Sequence, residues 1–187
     1  MEAMILLTAA TAMEMRAVIH GLGLDMPAPE PGTGVTGRVR DIPVRLVVSG
    51  IGPLAAAFAA GRLAGEGALA PERCRGILSL GIAGTYARNA APIGSVCMAS
   101  AEVWPEYGLL TDNGVDPVAL GFPLAGKKEA ADPPPVWDTL PLAPAQALAA
   151  MGLGDPSNAP RTAENPLVAV GPSITVAAVS GTVARAR

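Results

Sequence analysis

An α/β fold, a β-sheet with helices packed on it, is what three features of this 187-residue sequence predict. The run Gly76-Ile77-Leu78-Ser79-Leu80 is apolar and reads as a strand buried on both faces. It ends in Gly81-Ile82-Ala83-Gly84, a turn of small residues. Two further apolar runs, at 4–10 and 43–49, are each followed within a few residues by a helical stretch. Strands alternating with helices build sheets with helices on their faces. In such folds ligands bind beyond the carboxyl ends of the strands. The Gly81–Gly84 turn is therefore a candidate pocket wall, or else a tight strand-to-loop turn without a ligand.

Composition narrows the class. Half of the residues are hydrophobic but only 3% are aromatic, so Ala, Val, Leu and Ile must build the core. The length suits one domain over residues 1–187 with a sizeable core. A net charge of −3 and a pI near 5.1 offer no basic surface, which argues against nucleic acid as a partner. Cys74 and Cys97 have neither metal nor disulfide spacing, which fits a reducing cytoplasm. The start Met1-Glu2-Ala3-Met4 lacks the basic region of a signal peptide. No apolar run approaches the ~20 residues that span a bilayer. The sequence therefore predicts a soluble, cytoplasmic protein without a membrane partner, and no metal or cofactor is expected.

In chain order, residues 4–10 (MILLTAA) read as a buried strand. Residues 11–19 read as a helix that Thr11 caps. Glu14 then lies near a strand's carboxyl end and in the first turn of a helix. That place suits a functional carboxylate, and it equally suits an acidic residue that only complements the helix dipole. His20 complements the same helix's C-terminus. After a Pro/Gly-rich region at 27–37, residues 38–49 form a hairpin-like pair cornered at Asp41-Ile42-Pro43. The second strand enters Gly50-Ile51-Gly52-Pro53, and a helix follows over 54–63. Gly50 and Gly52 either present amides to a ligand at that helix's start or allow close helix–sheet packing. Neither a full dinucleotide fingerprint nor a P-loop lysine is present.

Beyond the 76–84 strand and turn, residues 86–92 read as a loop and 93–103 as a further strand. Trp104 and Tyr107 offer aromatic surface for stacking on a base, or core packing. Residues 112–166, rich in Pro, Gly and Asp, read as a long excursion with one helical piece at 143–151. Closing strands are expected at 167–170 and 173–179, ending in Ser180-Gly181-Thr182.

Taken together, Ala12-Met13-Glu14, Ser49-Gly50-Ile51-Gly52, Gly81-Ile82-Ala83-Gly84 and Ile93-Gly94-Ser95-Val96 resemble the purine nucleoside phosphorylase-like superfamily in order and spacing. Within it the chain is similar to the methylthioadenosine/adenosylhomocysteine nucleosidase branch. Ala101-Glu102-Val103 before Tyr107-Gly108, and Leu120-Gly121-Phe122-Pro123-Leu124, resemble the futalosine hydrolases of that branch. The resemblance covers residues 4–125 and 167–183. It implies a three-layer sandwich with a central mixed, twisted β-sheet flanked by helices, and a homodimer.

The resemblance also implies a chemistry: water attacks the anomeric carbon of a purine nucleoside as the N-glycosidic bond breaks. Glu14 occupies the position of the glutamate that orients and deprotonates the water. Gly50, Ile51, Gly52, Ile82, Ala83 and Gly84 would line the base and ribose. A second glutamate in a Met-Glu-Gly segment and a purine-protonating aspartate belong to the family pattern and are not found after Ser180-Gly181-Thr182. The expectation is therefore a C-terminally incomplete chain, inactive by itself. Two other readings remain: a nucleoside phosphorylase, for which Arg16 would meet phosphate, and a non-catalytic nucleoside-binding or partner-binding module. Phosphate dependence separates the first pair, and base release separates both from the third.

Overall fold

The computed structural model describes residues 2–86, 89–129, 132–158, 162 and 166–176. They group into two compact units. The first holds the chain up to Tyr86 together with Gln146–Gly154, and the second holds the remainder.

In the first unit, β1 (Met4–Ala9) is a central strand. It pairs in parallel with β3 (Ile42–Val48) on one side and β4 (Cys74–Ser79) on the other. Strand β2 (Gly34–Val39) runs antiparallel to β3, so the order is β2-β3-β1-β4. Side chains alternate across a strand, and the core divides accordingly. Ile5, Leu7, Ala9, Val44, Leu46 and Val48 face α1 (Ala12–Gly21), which contributes Met15 and Ile19. Leu6 and Val47 face the opposite way, toward Leu63 of α2 (Pro53–Gly65). Helices thus cover both faces of a mixed sheet, the α/β sandwich that the sequence predicts. The third helix, α3 (Pro144–Ala150), delivers Met151, 2% exposed, to the α1 face.

Two expectations change here. Strand β4 is not buried on both faces: its exposure alternates, and Ile77 is 51% exposed. Among the described residues it lies at the edge of the four-stranded sheet, and its exposed side chains alternate with covered ones. On that covered side Gly76 meets Met151 so closely that a Cβ would stand 2.6 Å from its Cγ and Sδ. The hairpin corner is Arg40-Asp41, with Arg40 at φ 52°, because Val39 pairs directly with Ile42. Pro43 lies inside β3, opposite Arg38, and β2 extends back to Gly34.

In the second unit, β5 (Val96–Val103) lies between β8 (Thr139–Pro141, antiparallel) and β9 (Val168–Ile174, parallel). The expected strand from residue 93 begins later, since Ile93-Gly94-Ser95 form a turn with Gly94 at φ 88°. The 112–166 excursion is more structured than expected. Hairpin β6–β7 (Leu109–Thr111, Gly114–Asp116) borders it, and β8 and α3 lie within it. The two expected closing strands are one strand, β9, passing through Gly171-Pro172. A register shift between Ala99 and Ala101 faces that step, and such an irregularity accommodates a proline that has no N–H to give the ladder. Residues 177–179 and Ser180-Gly181-Thr182 lie outside the described residues. Trp104 and Tyr107 stack with ring centres 5.4 Å apart, and the Tyr107 hydroxyl donates to the Phe122 carbonyl. Among the described residues, no helix is long and apolar enough to cross a membrane.

Candidate active site

Because β1, β3 and β4 are parallel, their carboxyl ends open on one edge of the sheet. Two backbone bonds extend the ladder past the strands: Ser49 N–H to the Ala9 carbonyl at 2.9 Å, and Leu80 N–H to the Thr8 carbonyl at 2.8 Å. The turns after β3 and β4 therefore leave the sheet on either side of the turn that starts α1. Gly50-Ile51-Gly52 lies in the first and Ile82-Ala83-Gly84 in the second, with Glu14 between them in the first turn of α1.

Glu14 is held by three donors. Thr11 caps α1, its Oγ1 accepting the Glu14 N–H at 3.2 Å. The Glu14 side chain reaches back, and its Oε2 accepts the Thr11 N–H at 3.0 Å and the Thr11 hydroxyl at 2.7 Å. This is a reciprocal capping box. The other oxygen, Oε1, accepts the Ile82 N–H at 3.1 Å. The Thr11 hydroxyl and then the Ile82 amide hold the carboxyl below its usual range, with partial burial opposing them. Glu14 is consequently a carboxylate at neutral pH.

Glycine is required where this carboxylate passes. A Cβ on Gly81 would stand 2.8 Å from Glu14 Oε1. In the other turn, Gly50 and Gly52 have φ of 89° and 86°, the left-handed region that glycine enters without strain. A Cβ on Gly50 would also stand 2.8 Å from Ala55 Cβ. Gly52 is the N-cap of α2 and Pro53 follows, so no side chain caps that helix. The side chains of Ile51 and Ile82 are 79% and 83% exposed, and Ala83 and Gly84 are exposed as well.

A cavity of about 160 Å³ lies on the α2 face, lined by Thr8, Ser49, Ala56, Ala60, Ile77 and Ser79 among others, and Glu14 is not part of its wall. The carboxylate edge and this apolar hollow are thus different places. The Glu14 carboxylate lies at the edge, and the hollow is apolar apart from hydroxyls such as those of Thr8, Ser49 and Ser79. The sequence reading assigned Thr11 only a capping part and missed both its bond to the carboxylate and the role of Gly81. The Thr11-x-x-Glu14 spacing carried the first signal; nothing local carried the second. In the second unit, Glu102 of β5 accepts hydrogen bonds from the hydroxyls of Ser173 and Thr175. Among the described residues, no group of three or more His, Cys, Asp or Glu side chains could hold a metal ion.

The sequence matches no family model and no curated protein sequence. Solved structures do resemble it. Futalosine hydrolase of Helicobacter pylori superposes with a TM-score of 0.62 at 18% identity, over 99% of this chain and 71% of that one. The 5′-methylthioadenosine/S-adenosylhomocysteine nucleosidase of Helicobacter pylori, bound to butyl-thio-DADMe-Immucillin-A, gives 0.59 at 18% identity, over 92% and 64%. The Streptococcus pneumoniae MTA/SAH nucleosidase with 8-aminoadenine gives 0.57 at 19% identity, over 94% and 64%. The chain spans about two thirds of the length of these proteins. It has the nucleoside phosphorylase-like α/β fold that they share.

Proposed function

We propose that this chain belongs to an N-glycosyl hydrolase acting on a purine nucleoside, with futalosine as substrate and hypoxanthine as the base released, a step of menaquinone biosynthesis. The observation that carries the proposal is the ionised Glu14 at the carboxyl edge of β1, bonded to the turn that begins at Gly81. The likeness to solved nucleosidases supports it.

In this reading, Glu14 accepts a proton from water as the water oxygen bonds to the anomeric carbon. The bond from that carbon to the purine nitrogen breaks, and its electron pair leaves with the base, which takes up a proton from solvent while Glu14 gives back to solvent the one it received from the water. The carboxylate also stabilises the positive charge that develops on the ribose. Gly50, Ile51 and Gly52 on one side, with Ile82, Ala83 and Gly84 on the other, offer backbone groups to the base and ribose. The proposal treats residues 1–187 as one nucleosidase-like domain. It extends to a homodimer, because Leu54 and Phe58 on α2 are 86% and 72% exposed.

A second reading is a non-catalytic nucleoside-binding module, in which Glu14, bonded to Thr11 and to Ile82, clamps the Gly81–Gly84 turn to the start of α1. The deciding assay offers futalosine, methylthioadenosine and inosine with and without phosphate. It is run on this chain and on the longest product of its reading frame. Phosphate-independent release of hypoxanthine from futalosine, abolished by Glu14→Gln, is the expected result. Nucleoside binding without base release in both proteins would favour the module, and release that requires phosphate would favour a phosphorylase.

A further inference from the structure

The two oxygens of Glu14 accept unequal numbers of protein hydrogen bonds. An ionised carboxylate offers about four acceptor positions, two on each oxygen. Oε2 accepts two donors, the Thr11 N–H at 3.0 Å and the Thr11 hydroxyl at 2.7 Å. Oε1 accepts one, the Ile82 N–H at 3.1 Å. Among the described residues, protein donors therefore fill both positions on Oε2 and one on Oε1, the oxygen beside Gly81 and Ile82.

We propose that Thr11 is a positioning residue of this site: by filling Oε2 it directs the open acceptor position of Glu14 through Oε1, toward the Gly81–Gly84 turn, where the attacking water or a ligand hydroxyl is received. This rests on the nucleosidase reading of Glu14 but is tested separately from it. The Thr11 hydroxyl suits the task because it accepts the Glu14 N–H while donating to Oε2, so one group sets both the helix start and the carboxylate orientation. Few charges compete. The causes acting on Glu14 are hydrogen bonds and burial, with no contribution from a charged side chain. Arg16 and His20 are the other titratable groups of α1. Strand β1 carries none. On β3, Arg45 is paired with Glu66. On β4 the titratable groups are Cys74, which packs on the α2 side, and the exposed Arg75, and the turn after it carries Tyr86.

The test compares Thr11→Val, Thr11→Ser and Thr11→Gly with the parent. Glycine is tolerated at an N-cap, so the third variant loses the hydroxyl while the helix start is kept. Carbon-13 NMR of the Glu14 carboxyl follows its titration in the 187-residue chain, a readout that needs no turnover. Loss of the hydroxyl in the Val and Gly variants raises the Glu14 midpoint by about one pH unit, and Ser restores it. In a form that releases hypoxanthine from futalosine, kcat falls about tenfold in the Val and Gly variants, KM changes little, and Ser recovers both kcat and the acid limb of the pH profile. Titration curves that coincide in all four proteins would overturn the proposal. If Glu14→Gln instead releases base as fast as the parent, the nucleosidase reading of Glu14 fails. The NMR comparison still decides whether Thr11 holds the carboxylate.

Discussion

Glu14 Oε1 accepts the backbone N–H of Ile82 at 3.1 Å, joining residues 68 positions apart. The bond ties the first turn of α1 to the segment leaving β4, so the carboxylate and the candidate substrate turn are positioned by the same contact. Its other oxygen is tied locally, to Thr11. One side chain therefore links a local helix signal to a tertiary contact.

Gly81→Ala tests that link. The added Cβ would stand 2.8 Å from Glu14 Oε1, so either the turn or the carboxylate must move. The expected outcome is a raised Glu14 midpoint in carboxyl NMR, from loss of the Ile82 amide, and a loss of base release of about tenfold or more. Far-UV circular dichroism should change little, because the turn lies outside the regular elements. An unchanged Glu14 titration would show that the Ile82 contact does not depend on the glycine.

The packing of Gly76 against Met151 predicts strong coupling. A Cβ at position 76 would meet Met151 Cγ and Sδ at 2.6 Å, so Gly76→Ala costs about 1–3 kcal/mol by overpacking. Met151→Ala opens a cavity at a side chain 2% exposed and costs about 2–5 kcal/mol. The double variant should be more stable than the sum of the two, by about 0.5–3 kcal/mol, since the new methyl enters the vacated space. Urea denaturation of the four proteins measures the cycle, and simple additivity would contradict the contact.

Stability should fall in acid through Glu14 and Glu66. Glu14 is held below its ordinary pKa first by the Thr11 hydroxyl, and Glu66 first by its hydrogen bond from Arg45, with Arg62 assisting. A depressed folded-state pKa means that the unfolded chain takes up protons first. The stabilisation is therefore present above the unfolded value near pH 4.3 and lost as pH falls through the lower folded values. The urea midpoint should be level from pH 7 to about pH 5 and decline below it. Glu14→Gln should make the decline shallower, and a decline of unchanged slope would deny Glu14 its share.

At the other turn, Gly50→Ala faces both a left-handed φ of 89° and a Cβ contact of 2.8 Å with Ala55. The backbone strain alone costs about 1–2 kcal/mol. The start of α2 should shift, lowering the urea midpoint and reducing amide-exchange protection in its first turn more than in β1, where the ladder is intact. Full retention of stability would mean that the turn readjusts freely.

Much of the first unit was legible in the chain order of its residues. MILLTA forms β1, and Thr11 with Glu14 marks and caps the helix that follows, because a capping box needs only residues three apart. The apolar stretch after Gly50-Ile51-Gly52 forms α2 for the same local reasons of propensity and turn chemistry. The run at Gly76–Leu80 announced a strand but not its place: that it is an edge strand, covered by Met151 on one face and open at Ile77 on the other, depends on which elements pack beside it. Likewise the passage of β9 through Pro172 and the pairing of β8 with β5 follow from register with distant partners. Residue types, periodicity and spacing determined β1, α1 and α2 and singled out Glu14 as a candidate. Only the tertiary structure decided that Ile82 donates to it and that Gly81 must have no side chain, because those contacts join segments whose proximity arises from the parallel pairing of β1 with β4.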